Sequence, residues 1–140
     1  MQYKYYLHLF AGMAMLELGN LASSLAPFNV SAVSESLGAN SQESGLVVTL
    51  ELFFAAISSL FFGTVSYKGK ALAYCGSLIV ICSYFLCSIA SDVNQITFIK
   101  AFSGIGCGML IASGHSILAS SQDPNRSYAL FTLFASLTAA

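Results

Sequence analysis

Charge is what this sequence is short of. Its 140 residues hold five Lys or Arg and six Asp or Glu, 8% in all, where a soluble domain carries about a quarter. The net charge of −1 leaves no basic surface for nucleic acid and no pull on acidic ligands. Tryptophan is absent and there are two prolines, Pro27 and Pro124. The four cysteines, Cys75, Cys82, Cys87 and Cys107, form no C-x-x-C pair and no metal-ligand spacing, so they read as small packing residues. G-x-S-x-G, H-E-x-x-H and phosphate-loop motifs are also missing, and with them the usual soluble-enzyme constellations. The run Gly104-Ile105-Gly106-Cys107-Gly108 lacks the preceding strand and the third glycine of a dinucleotide fingerprint. No cofactor and no metal are implied.

What is present is oil: 56% of the residues are hydrophobic. A compact soluble fold of this length has too little interior to hide that much apolar surface. A membrane helix needs about 20 mainly apolar residues. The gaps between charges mark out spans over Tyr5–Phe28, Ser44–Ser66, Ala71–Ala90 and Ile96–Ala119. A fifth begins near Ser127 and is still running at Ala140, which reads as an unfinished span. The expected fold class is therefore all-α and integral to the membrane. The basic residues Lys4, Lys68, Lys70 and Arg126 fall on connections of one side, while Asn29–Glu43 and Ser91–Gln95 carry only Glu35, Glu43 and Asp92. The positive-inside rule then places the N-terminus in the cytoplasm of a cell whose plasma membrane holds the chain. A cleaved signal peptide is the weaker reading of the first segment. Its "LASSLA" is followed directly by Pro27, Glu17 and Asn20 interrupt the apolar run, and further spans follow.

Polar groups inside spans carry the chemistry, because a Lys or Asp at the centre of a span costs about 2.5–3.5 kcal/mol on insertion scales. Glu17 lies near the middle of the first span. Asn20 and Ser24 share its face at 100° per residue. It reads either as a proton-carrying or substrate-contacting carboxylate or as a neutral, hydrogen-bonded packing residue. Glu51 lies in the outer part of the second span, as a structural partner or a transport residue. Lys100 lies near the outer end of the fourth. Gly104, Gly108, Ile111 and His115 fall within about 80° of it around the helix. Two glycines at G-x-x-x-G spacing let a neighbouring helix approach closely, and Lys100 then meets that neighbour's acid, Glu51 being closest in depth. The alternative for Lys100 is to snorkel to the headgroups. His115 is a proton-relay candidate or an interfacial histidine. The third span holds only Tyr, Ser and Cys as polar residues and reads as lipid-facing.

Three stretches resemble the N-terminal part of a major facilitator superfamily (MFS) transporter. "FFGTVSYKGKAL" is similar to that family's loop between its second and third spans, through Gly63, Lys68, Gly69 and Lys70, without the loop's aspartate. "KAFSGIGCG" resembles the fourth-span motif R-x-x-Q-G-x-G, with Lys100 in the arginine position, Ser103 in the glutamine position, and Gly104 and Gly106 matching. "SSQDPNRSYALF" is similar to the loop into the fifth span. The resemblance implies a partial six-helix half of a two-half transporter, with further helices beyond this chain and a small-molecule substrate bound between the halves. It also implies transport by alternating access, with Lys100 linked to proton transfer. Two other readings stand beside it: a membrane protein that binds helices and transports nothing, and a small dimeric multidrug-type transporter using Glu17.

Overall fold

The computed structural model describes residues 2–64 and 69–138. Among these residues the chain is all-helical: α1 (Gln2–Ser24), α2 (Ala26–Leu37), α3 (Ser41–Thr64), α4 (Gly69–Cys87), α5 (Val93–Ala119) and α6 (Pro124–Thr138). Three of them, α3, α4 and α5, are long and apolar enough to cross a membrane. The first span differs in shape from the expected Tyr5–Phe28. It breaks at Leu25, bends by 48° and continues as α2 through most of the stretch expected to be a polar loop. Pro27 accounts for the break. It has no N–H to give and its ring crowds the carbonyl four residues back, so it is tolerated only in a helix's first turn. Hydrogen bonds from Leu25 N to Leu21 O (2.9 Å) and from Asn29 N to Leu25 O (2.8 Å) carry the chain across the bend.

The helix ends follow local chemistry. Gly38, at φ +63°, closes α2 in the left-handed conformation that glycine adopts without a Cβ penalty. Asn40 and Glu43 then form a reciprocal capping box. Glu43 N donates to Asn40 Oδ1 (2.9 Å) and Asn40 N donates to Glu43 Oε2 (3.0 Å), satisfying two amides that the start of α3 leaves without partners. At the start of α6, Arg126 N donates to Asp123 Oδ1 (3.1 Å) with Pro124 opening the helix.

The core is α5. Of its apolar window 56% is buried, against 28% for α3 and 17% for α4, so the other helices wrap around it rather than around one another. Glycine makes this geometry possible. A Cβ at Gly106 would sit 2.9 Å from the Gly76 carbonyl oxygen of α4, and one at Gly76 would sit 2.8 Å from the Gly106 oxygen. A Cβ at Gly114 would lie 2.8 Å from the Gly12 oxygen of α1. Such backbone-to-backbone approach is how apolar helices gain packing energy where lipid removes the hydrophobic drive.

The pairings also fix direction. Glu51, Ala55 and Ser58 of α3 meet Gly104 and Gly108 in ascending order, so α3 runs parallel to α5. By contrast, Gly12 meets Leu118 and Gly19 meets Cys107, so α1 runs antiparallel to it. The beginnings of α1, α4 and α6 therefore lie at one end of the bundle. Lys70 and Arg126 are at that end and exposed; Lys68 lies outside the described residues.

Candidate functional site

At the other end, α3 and α5 each contribute a charge. Heptad spacing along α3 stacks Ser44, Glu51 and Ser58 on the side that is buried. On α5, Lys100 precedes Gly104 by one turn, on the face where the helices touch. A Cβ at Gly104 would run into the carbonyl oxygen of Glu51 itself. The missing side chain thus brings the two backbones together just where the acid and base extend. Glu51 is fully buried and Lys100 is 4% exposed. The ammonium Nζ lies 3.3 Å from Glu51 Oε2 and 3.4 Å from Oε1. It therefore faces both oxygens at nearly equal distance, rather than making the single short bond of about 2.7–2.9 Å typical of a directed ionic hydrogen bond.

A third helix completes the site. The ring of Tyr84 on α4 lies 4.3 Å from Nζ, within cation–π range. Most of α4 faces outward, with Tyr74, Leu78, Ile81 and Phe85 exposed, in keeping with a peripheral helix. Ala73, Gly76 and Ser83 form its buried side, and Tyr84, half-buried beside them, is the site residue that the sequence pattern does not single out. A signal for it exists: it is eight residues from Gly76, on the same helical face, and Gly76 is the point of closest approach to α5. Two turns before Glu51 on the same face of α3, the buried Ser44 Oγ finds no hydrogen-bond partner among the described residues. Ser58 Oγ donates to Ile105 O (2.8 Å), a hydrogen bond between α3 and α5.

The other candidate residues are distributed elsewhere. Gly108 lies against Ala55 and Ser58 of α3, while Gly106 faces α4; the three glycines of the run thus serve two different neighbours. Glu17 and Asn20 are half-buried on α1. Their neighbours Leu16 and Gly19 contact Gly114, Ile111 and Cys107 of α5. That level is at least seven residues from Lys100, about 10 Å along the axis at 1.5 Å per residue. Glu51, not Glu17, is the acid that meets Lys100. Ser24 is exposed at the last position of α1. His115 is separated from Lys100 in its contacts. It turns to α6, its Nδ1 3.3 Å from Tyr128 Oη, while Tyr128 Oη also reaches the His115 carbonyl at 3.4 Å. A hollow lined by His115, Ser116, Tyr128, Ser59 and Gly63 opens beside it. Gly63 and Gly69 have open space where a Cβ would stand. Cys107 is buried against Ala22 and Ala55, as a packing residue would be, whereas Cys75 and Cys82 are exposed. No group of three or more metal-ligating side chains occurs among the described residues.

Comparison with protein-family models, with curated proteins and with solved structures returned no match.

Proposed function

We propose that this chain is part of the helical bundle of a secondary transporter of the MFS type, moving a small solute by alternating access and coupled to protons. The observation that carries the proposal is the Lys100–Glu51 pair, buried between apolar helices that are long enough to span a bilayer. Burying two opposite charges is a costly way to hold helices together. Desolvation offsets most of the Coulomb gain, and well-packed apolar residues are often as stabilising or more so. The same pair is well suited to switching. A proton delivered to Glu51 cancels its charge and leaves Lys100 a lone buried cation, so the helices then favour an arrangement that hydrates it. Placement of the starts of α1, α4 and α6 at one end supports a cytoplasmic assignment for that end, given its basic residues. Glu17 and Asn20 supply a second polar level, on the side of α5 where α1 packs, for substrate or proton.

A helix-binding membrane protein without transport is the second reading. It is favoured by the hollow beside His115, one between α1 and α6 and one between α1 and the end of α5, which stop short of Glu51 and Lys100. The two readings separate in membrane vesicles carrying the longest reading frame that contains this chain. A pH gradient is imposed and a panel of solutes is added while a pH-sensitive dye reports proton movement. The transport reading expects one solute class to dissipate the gradient, with Glu51→Gln and Lys100→Met returning the rate to that of empty vesicles. A gradient indifferent to every solute, or flux untouched by both substitutions, would overturn it.

A further inference from the structure

The Lys100 ammonium is held as a small free cation would be held. It lies almost equally far from the two oxygens of one carboxylate and over the face of one aromatic ring. A carboxylate set beside an aromatic face is the chemistry that recognises ammonium groups. The frame around it does not depend on the lysine. Gly104 and Gly108 close on backbone atoms of Glu51, Ala55 and Ser59, and Gly76 closes on Gly106. Glu51 and Tyr84 are thus positioned by glycine contacts along the α3–α5 and α4–α5 seams in which the Lys100 side chain takes no part.

We propose that Glu51 and Tyr84 form a binding site for a primary ammonium ion, filled in this chain by its own Lys100. The lysine is a tethered occupant that neutralises Glu51 and keeps free amines out. Removing the side chain beyond Cβ, as in Lys100→Ala, deletes three carbons and the ammonium nitrogen. That piece is n-propylammonium, so this ion is the complement of the vacated space. The proposal concerns cation recognition alone and stands whether or not the chain transports.

The test is thermal unfolding of the purified full chain in detergent at about pH 7.5, well below the ordinary pKa of an alkylamine. Wild type and Lys100→Ala are compared with n-propylammonium chloride, n-propanol and tetramethylammonium chloride. The expected result is a rise in the Tm of Lys100→Ala that grows with the logarithm of n-propylammonium concentration, as ligand binding to the folded state requires. Wild type, whose site is full, shows no such rise. Adding Glu51→Gln to Lys100→Ala abolishes the response, and adding Tyr84→Leu weakens it. Should Lys100→Ala extract only as aggregate, the same comparison is read as the yield of monodisperse protein with each additive in the extraction buffer. The Lys100→Ala/Glu51→Gln double variant, which carries no lone buried charge, then serves as the folded reference. No gain from n-propylammonium in either Tm or yield overturns the proposal. So does an equal gain from n-propanol, which would mean that an apolar hole is being filled. An equal gain from tetramethylammonium would remove the specificity for a primary ammonium and overturn it as stated.

Discussion

Two glycine-to-alanine changes should move stability in opposite directions. In Gly108→Ala the new Cβ would sit 2.5 Å from the Ala55 carbonyl oxygen, 2.6 Å from Ser58 Cβ and 2.7 Å from Ser59 N. Two of these are backbone atoms of α3, so no side-chain rotation relieves the clash. Carbon-to-oxygen contacts between helices settle at about 3.3 Å or more, so α5 must retreat by about 0.8 Å. The Ser58 Oγ to Ile105 O bond, now 2.8 Å, would be drawn out to about 3.6 Å, beyond hydrogen-bonding range. Overpacking costs about 1–3 kcal/mol and the lost hydrogen bond about 0.5–1.5. Alanine's better helix propensity returns about 1 kcal/mol. The net is a destabilisation of about 0.5–3.5 kcal/mol. Gly45 sits near the start of α3 with nothing within 4 Å of a built Cβ. Gly45→Ala should therefore show only the propensity term, a gain of about 0.5–1 kcal/mol. Reversible unfolding in mixed micelles, titrated with a denaturing detergent and followed by circular dichroism, reads both. Equal midpoints for Gly108→Ala and Gly45→Ala would refute the close approach of α3 and α5, and with it the geometry of the ion pair.

The same assay tests the pair itself. Lys100→Met alone and Glu51→Leu alone should each cost about 3–5 kcal/mol, because each leaves a buried charge without its counter-ion, while the double variant should recover most of the loss. Single variants as stable as wild type would mean that both side chains reach solvent. Asn40→Ala should cost about 1 kcal/mol by opening the capping box. The loss should appear as faster amide exchange in the first turn of α3 and leave the α5 amides unchanged.

Much of this was legible in the residues. Sparse charge and long apolar runs give helices, three of them apolar and long enough to cross a membrane, and a helix is what satisfies the backbone's hydrogen bonds within such a stretch. The Lys100–Glu51 encounter followed from two estimates of depth and one G-x-x-x-G stripe. Charges isolated in apolar helices have few possible partners, and these two are the nearest in level. The Asn40–Glu43 box is also readable, as N-x-x-E ahead of an apolar run, within a stretch whose polarity otherwise reads as loop. The α2 helix was harder to read. Pro27 looks like a stop signal, and only the continuing hydrogen bonds reveal that it is a bend.

What the sequence by itself determined is the apolar length of its helices, their periodicity and the set of polar groups that need a partner. Tertiary structure decided the order of packing: that α5 is the centre, that Gly104 and Gly108 serve α3 while Gly106 serves α4, and that Tyr84 turns inward to Lys100. The reason is that periodicity gives only an angle around one helix. Which neighbour stands at that angle depends on where two backbones come closest, and this is settled by glycines on both helices together, as Gly76 and Gly106 settle it between α4 and α5.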